Sequence, residues 1–370
     1  MATALPHRAE GELAASAKAG EASMFDRLAL IRLPLIVLVV CYHNESGGAF
    51  VSHLQGAAVL QYIVNLVANG LGGIRVPVFF LIAGYVFFRN RKPGVGWFAA
   101  KIGSRARSVL LPLILWSLLW LVIVAIAQEL SYTAGFFSGK SMWSMPVSDY
   151  SLGRVVWAVF GTNSELFLYH LWFLRDLFVL VLLSPLIHQL IRISRGWVSL
   201  ALLLLWLLDV DNGLVSKDAL FFFIIGCHLA IAGRSIFWGD MLGPVAILGW
   251  VGLKTFGGEL HLLETKAWIL CGTLGALYVS GFVQRLPSVP EVLRRASRYS
   301  FLVFVAHEPL LTVVRRVYFD VLEPVAAADL FVAYFAIVAI TVSALIVVFC
   351  VAERLTPRLL DVMTGGRASA

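Results

Sequence analysis

Arg32 and His43 are the two residues whose types and spacing best fit a chemical role. They lie eleven positions apart in the apolar stretch 24–43. An α-helix returns to within about 20° of its starting direction after eleven residues and rises about 16 Å. In a membrane, this spacing puts a cation near one surface and a titratable imidazole near the other, on one stripe. Such ionisable groups usually mark a site or pathway; the alternative is a snorkelling arginine and an interfacial histidine.

A second group of polar residues lies in the stretch Tyr-His-Leu-Trp-Phe-Leu-Arg-Asp, residues 169–176. We expect His170 to lie near the outer membrane surface. Adjacent helical residues point about 100° apart, so Arg175 and Asp176 are not expected to pair with each other. Buried charges are costly, so Arg175 is expected to line a polar cavity or to find a partner on another helix.

The composition is that of a membrane protein. Of the 370 residues, 60% are hydrophobic and 14% are charged, and the mean hydropathy is +0.86. Continuous apolar runs long enough to cross about 30 Å of hydrocarbon predict an all-α, polytopic membrane helical bundle. The net charge of +7 fits basic cytoplasmic loops and does not indicate nucleic-acid binding. The four cysteines lack metal-ligand spacing, so we expect no bound metal.

Hydropathy predicts about ten transmembrane helices. Residues 54–74 are interpreted separately, as an interfacial or half-buried segment, because they contain several polar residues and glycines. With that assignment, basic residues concentrate on one side, which places both termini in the cytoplasm. The predicted domains are a disordered cytoplasmic tail (1–23), a membrane domain (24–353) and a cytoplasmic C-terminal tail (354–370). The predicted helices span 25–43, 75–88, 108–127, 168–190, 197–208, 218–233, 241–257, 266–283, 300–318 and 329–352.

Four stretches, in this order, carry a family resemblance. They are Arg32-x10-His43; Val-Pro-Val-Phe-Phe-Leu-Ile-Ala-Gly-Tyr (76–85) followed by Arg89-Asn90-Arg91-Lys92; Tyr-His-Leu-Trp-Phe-Leu-Arg-Asp-Leu (169–177); and Arg-Tyr-Ser-Phe-Leu-Val-Phe-Val-Ala-His-Glu-Pro-Leu-Leu (298–311). Together they resemble the membrane acyltransferase-three family of integral-membrane O-acyltransferases. Two positions depart from the family pattern: Ala29 stands where an acidic residue is common, and Ala83 stands where many members have serine.

The resemblance implies transfer of an acyl group, expected to be acetyl, from cytoplasmic acyl-CoA to a sugar hydroxyl of an exopolysaccharide or other cell-envelope glycan precursor. It makes Arg32 and His43 the essential pair, with His43 as general base, because imidazole titrates near neutrality. Arg32 is then expected to bind phosphate or to stabilise charge along the path. Gly84 is expected to allow close helix approach.

Coenzyme A carries several phosphate charges, which arginine binds well. Basic residues on the predicted cytoplasmic loop after the second helix are therefore candidates for donor binding, although such loops are basic in any case. His307, expected toward the cytoplasmic side of the ninth helix, is a further candidate. The predicted donor-binding residues are Arg89, Arg91, Lys92, Arg105, Arg107 and His307. The predicted acceptor-binding residues are His170, Trp172, Arg175 and Asp176.

The sequence thus predicts a multi-pass enzyme of the bacterial cytoplasmic (inner) membrane. Its expected partners are acyl-CoA as donor substrate, a glycan or lipid-linked sugar acceptor, membrane lipids and polysaccharide assembly proteins. No permanently bound cofactor and no nucleic acid are expected. Two alternatives stay open: an exporter or flippase for a polysaccharide intermediate, and a non-catalytic subunit of a polysaccharide synthase.

Overall fold

The computed structural model describes residues 5–45, 48–54, 56–89, 95–136, 145–161, 166–256 and 261–367. All regular elements within these ranges are helical, which confirms the polytopic helical bundle. The main helices are α1 (Leu5–Asn44), α2 (Ala58–Asn65), α3 (Arg75–Phe88), α4 (Val95–Arg105), α5 (Leu111–Glu129), α6 (Leu152–Phe160), α7 (Trp172–Leu182), α8 (Ser184–Ile193), α9 (Trp197–Leu207), α10 (Lys217–Ile231), α11 (Gly243–Phe256), α12 (Leu262–Val283), α13 (Val289–Ala296), α14 (Ser300–Leu322), α15 (Ala327–Leu355) and α16 (Pro357–Thr364).

Within the described residues, four helical stretches are long and apolar enough to cross a membrane. They are Ala58–Phe88, Gly96–Glu129, Leu262–Val283 and Ala327–Leu355. A fifth is present if α7 and α8, which are bent by 57°, form one span. The bend corrects the single straight helix predicted over 168–190, and Pro185 in the first turn of α8 fits it. The number of ten spans and the cytoplasmic location of both termini stay predictions.

Helix α1 begins at Leu5, earlier than the predicted start at residue 25. The segment before the apolar run is rich in Ala and contains three Glu residues, and both residue types favour helix. The predicted separation into tail, membrane domain and C-terminal tail stays a prediction.

The separation of residues 54–74 from the second predicted helix is wrong, whereas their interfacial location stays a prediction. Helix α2, a π-helical segment (Leu66–Leu71) and α3 form a continuous 31-residue helical stretch, Ala58–Phe88. The polar residues in it find local partners: Gln61 Nε2 donates to the Val51 carbonyl at 3.2 Å, and Asn69 Nδ2 donates to Asn65 Oδ1 at 2.8 Å. Because their hydrogen bonds are satisfied, these residues do not interrupt the helix.

Arg105 and Arg107, which the sequence analysis placed on a loop after the second predicted helix, lie in helical segments instead. Helix α4 continues through a π-helical segment (Ala106–Leu110) into α5. Trp97 of α4 packs edge-on against Phe87 of α3, with 5.6 Å between ring centroids. The apolar contact explains why this basic stretch is ordered as helix. Arg105 and Arg107 therefore project from a helix at defined angles.

Helices α3 and α10 approach to backbone contact. A Cβ atom added to Gly84 would lie 2.0 Å from the Phe223 carbonyl oxygen, and one added to Gly226 would lie 2.1 Å from the Leu81 carbonyl oxygen. The close approach expected at Gly84 is present, as in small-residue packing of membrane helices. This contact fixes one face of α3, while Val76, Phe79 and Ala83 of the same helix line the cavity described next.

Candidate active site

A cavity of about 890 Å³ lies inside the bundle and contains both residues of the first motif. Arg32, Ile36, Val39 and His43 line it from α1. These positions follow one another at helical spacing, so they form a single stripe. The placement agrees with the expectation from the eleven-residue separation. The other walls come mainly from α3, α7 and α14, with single residues from α4, α13 and the C-terminal segment.

The imidazole of His43 is buried and is held by a group from another part of the chain. Its Nδ1 atom lies 3.1 Å from Tyr169 Oη. Tyr169 Oη also lies 3.4 Å from Glu308 Oε1, to which it donates, and Thr312 Oγ1 donates to Glu308 Oε2 at 3.0 Å. When Tyr169 donates to Glu308, its oxygen accepts from Nδ1–H of His43. The Nε2 atom of His43 then keeps its lone pair.

Glu308 occupies a break in α14. Its backbone (φ −101°, ψ 139°) is not helical, and Pro309 follows it. A residue before proline is biased toward extended conformations, which explains the break.

Two further histidines lie beside His43. The His307 ring stacks on His43 with 5.3 Å between centroids, and the His170 centroid lies 4.6 Å from that of His307. His307 Nδ1–H donates to the Phe304 carbonyl at 2.7 Å, and His170 Nε2–H donates to the Val305 carbonyl at 3.3 Å. Among the described residues, His307 Nε2 and His170 Nδ1 have no hydrogen-bond partner.

The positions of these two histidines bear on the sequence analysis in different ways. His170 is buried beside His43, and its expected location near the outer membrane surface stays a prediction. His307 lies at the His43 end of the cavity, whereas the sequence analysis expected it at the opposite, cytoplasmic end. Their closeness depends on how α7 and α14 pack, which helical periodicity does not report.

Arg75, which the sequence analysis did not single out, also lines the cavity near His43. Its guanidinium lies 4.0 Å above the ring of Tyr42, the residue before His43, and donates to the Gly72 carbonyl. A guanidinium at this end of the cavity can stabilise a developing negative charge. Arg75, Tyr169 and Glu308 were missed by the sequence analysis. Tyr169 and Glu308 nevertheless lie within two of the four motifs, and Arg75 directly precedes a third.

The Arg32 end of the cavity is strongly basic. Five arginines line it, and they fall into two groups by their partners. Arg294 and Arg298 are paired with carboxylates. Arg32, Arg105 and Arg367 have no ion pair within the part of the chain that the structure describes.

Arg105 is the donor-binding candidate of α4 that reaches the cavity. Arg89 donates to Tyr85 Oη at 2.8 Å and Arg107 is exposed; as the structure describes them, both lie outside the cavity lining. Arg91 and Lys92 fall outside the described residues. The roles of all five in donor binding stay predictions.

The prediction that Arg175 and Asp176 do not pair is wrong. Arg175 Nε lies 2.9 Å from Asp176 Oδ1, and both side chains are buried. Arg175 Nη1 donates to the Gly161 carbonyl at 2.6 Å, and Asp176 Oδ2 accepts from Ser216 N at 2.7 Å. The long arginine side chain spans the angle between neighbouring helical positions. This pair ties α7 to two other segments and lies outside the cavity lining, whereas His170 and Trp172 line the cavity.

Comparison with known proteins identifies the family to which this chain belongs. The family model for an acyltransferase domain matches residues 25–352. The chain therefore belongs to this acyltransferase family, as the four motifs predicted.

One curated relative matches along almost the whole chain. It is the succinoglycan biosynthesis protein ExoH of Rhizobium meliloti (strain 1021), with 28% identity over 362 residues. The match covers 95% of this chain and 94% of the relative. No solved structure matches the chain.

Proposed function

We propose that this protein transfers an acetyl group from acetyl-CoA to a sugar hydroxyl of an exopolysaccharide or other cell-envelope glycan precursor. Family membership supports acyl transfer, and the name of the relative, which refers to succinoglycan biosynthesis, supports a polysaccharide acceptor. The observation that carries the proposal is the single cavity shared by Arg32 and His43. A basic end suits the phosphates of the donor, and a histidine end suits activation of an alcohol.

In the proposed reaction, His43 Nε2 takes the proton of the sugar hydroxyl as the oxygen attacks the thioester carbonyl. Arg75 stabilises the negative charge on the carbonyl oxygen. The tetrahedral intermediate collapses, the carbon–sulfur bond breaks, and the CoA thiolate receives the proton from the imidazolium of His43. The products are the sugar ester and free CoA. Tyr169 and Glu308 orient the His43 ring during both proton transfers.

Along α1, about 16 Å separates Arg32 from His43. The extended pantetheine arm connects the phosphates of CoA to its thioester. We therefore place the nucleotide at the arginine end and the thioester at the histidine end. The acceptor hydroxyl meets the thioester beside His43, near His170 and Trp172.

The first test replaces the base. In membranes carrying His43→Ala, transfer of labelled acetyl from acetyl-CoA to the glycan should fall about 100-fold or more, because general-base catalysis is lost. His53→Ala removes an exposed histidine outside the cavity and should behave as wild type. Near-wild-type acetyl transfer by His43→Ala, at the same amount of protein in the membrane as wild type, would contradict the proposal.

The exporter alternative is tested by glycan analysis of a strain that lacks the gene. Loss of the O-acetyl ester from a polymer that still reaches the cell surface supports the transferase. Loss of the whole polymer from the surface, with ester present on the polymer retained inside, supports export.

A further inference from the structure

The chain after α15 folds back onto the bundle. Helix α16 packs on α5, where Trp116 Nε1 donates to the Met363 carbonyl at 3.0 Å. Leu360 and Thr364 of α16 are buried. This segment lies beyond residue 352, where the family match ends. Its position against α5 is therefore a feature of this chain that the family motifs do not describe.

Two glycines turn the chain from α16 toward the cavity. Gly365 and Gly366 have φ values of +65° and +81°, which favour glycine. A Cβ atom at Gly365 would lie 2.6 Å from the Cα atom of Ser108, so glycine is also required by space. The next residue, Arg367, lines the cavity.

The side chain of Arg367 has defined contacts. Its Nη1 atom donates to the carbonyls of Ser108 and Thr364, both at 2.6 Å. The guanidinium lies 4.0 Å above the ring of Phe301. Stacking and carbonyl contacts orient a guanidinium but leave its positive charge without an anion.

Arg367, Arg105 and Arg32 differ from the other two arginines at their end of the cavity in having no carboxylate partner within the described residues. Arg294 lies 2.6 Å from Glu291 and 3.1 Å from Asp26, and Arg298 contacts Glu353. Within the described residues, the first three have no such partner. Burial, followed by the positive charges of Arg105 and Arg32, lowers the pKa of Arg367 to about 10. Three arginines that repel one another in one cavity are relieved by a bound polyanion.

We propose that the C-terminal segment forms part of the donor site, and that Arg367 binds the phosphates of CoA together with Arg105 and Arg32. The inference rests on the proposed function for the identity of the polyanion. The turn at Gly365 and Gly366 positions the guanidinium, and the docking of α16 on α5 holds the turn.

The test measures binding of CoA to the full chain in phosphatidylcholine nanodiscs by titration calorimetry. Arg367→Gln should weaken CoA binding about tenfold or more, since a charge-assisted contact to phosphate is lost. Gly365→Ala keeps the arginine but displaces the turn, and should weaken binding to a similar degree. Arg358→Gln removes an exposed charge of α16 and should bind CoA as wild type.

Unchanged CoA affinity in Arg367→Gln would overturn the inference. Repeating the titration in phosphatidylglycerol nanodiscs tests a lipid phosphate as the occupant. The inference would also be overturned if Arg367→Gln changed the stability of the protein only in anionic lipid and left the CoA affinity unchanged. If the wild-type protein binds CoA through Arg367 but transfers no acetyl group, the proposed function fails and the assignment of the binding residue stands.

Discussion

At the residue scale, the orientation of His43 depends on Tyr169. The two side chains come from positions 126 residues apart, and Tyr169 also contacts Glu308 of α14. A general base is effective when its proton-accepting atom is held toward the substrate and its tautomer is fixed. In the proposed mechanism, Tyr169 supplies that constraint to His43 without touching the reacting atoms.

We predict that Tyr169→Phe lowers kcat for acetyl transfer about 10- to 100-fold and leaves KM for acetyl-CoA nearly unchanged. The phenyl ring preserves packing but cannot accept from His43 Nδ1. Steady-state kinetics on purified protein measure both constants. Tyr132→Phe, at an 87% exposed tyrosine, is the control. A rise in KM with unchanged kcat would assign Tyr169 to substrate binding instead.

The residues of the site differ in how far the sequence predicts them. Arg32 and His43 were predicted because both lie on one helix, where spacing determines direction. Tyr169, Glu308 and Arg75 were missed because their contacts with His43 join separate helices. Periodicity gives the face of a helix but not the neighbour that this face meets.

At the element scale, the contact between α3 and α10 fixes the wall of the cavity that α3 provides. We predict that Gly84→Ala destabilises the protein by about 1–3 kcal/mol, because its methyl group would collide with the Phe223 carbonyl. Thermal unfolding in detergent measures the effect. Gly103→Ala, on α4 with nothing within 4 Å of the added Cβ, should be neutral or slightly stabilising. Equal melting temperatures for Gly84→Ala and wild type would contradict this.

Asp209 links three helices at one end of the bundle. It follows α9, and its carboxylate accepts from Lys217 of α10 at 2.6 Å and from Lys266 of α12 at 2.7 Å. These hydrogen bonds lower the pKa of Asp209 below its usual value of 3.8. A carboxylate whose pKa is lower in the folded state than in the unfolded state stabilises the fold at pH values above its unfolded pKa. This contribution is lost as the pH falls through the folded pKa.

We therefore predict that Asp209→Asn lowers the melting temperature by a constant amount between pH 7 and pH 5. The difference from wild type should shrink below about pH 4, where the unfolded carboxylate begins to bind protons. Melting curves of both proteins across this range measure it. A difference that grows as the solution is acidified would have the wrong sign for this linkage.

The helices themselves were largely predictable, and their breaks were not. The bounds 75–88 predicted for the second helix agree with α3, because a dense apolar run defines them. The bend between α7 and α8 and the continuity of 58–88 were missed. The bend lies at Pro185, which has no backbone N–H to donate, and the continuous helix accommodates Gln61 and Asn69 through their local hydrogen bonds.

At the scale of the whole molecule, one cavity joins elements from nearly the full length of the chain. Arg32 lies near its beginning and Arg367 near its end. The sequence predicted a membrane bundle and the pair on α1, since composition and spacing are local properties. The contribution of the C-terminal segment was not predictable, because it requires the docking of α16 and the turn at Gly365.

Arg32, Arg105 and Arg367, which have no ion pair within the described part of the chain, have a consequence beyond the proposed donor binding. Along α1, the cavity extends about 16 Å, roughly half the thickness of a membrane's hydrocarbon layer. A cavity of that depth reduces the thickness of the hydrocarbon barrier that maintains the electrochemical gradients of a cell. Fixed positive charge repels protons and metal cations from a narrow passage. We therefore expect the fixed positive charge of Arg32, Arg105 and Arg367 to repel cations from the cavity as well as to attract the proposed polyanion.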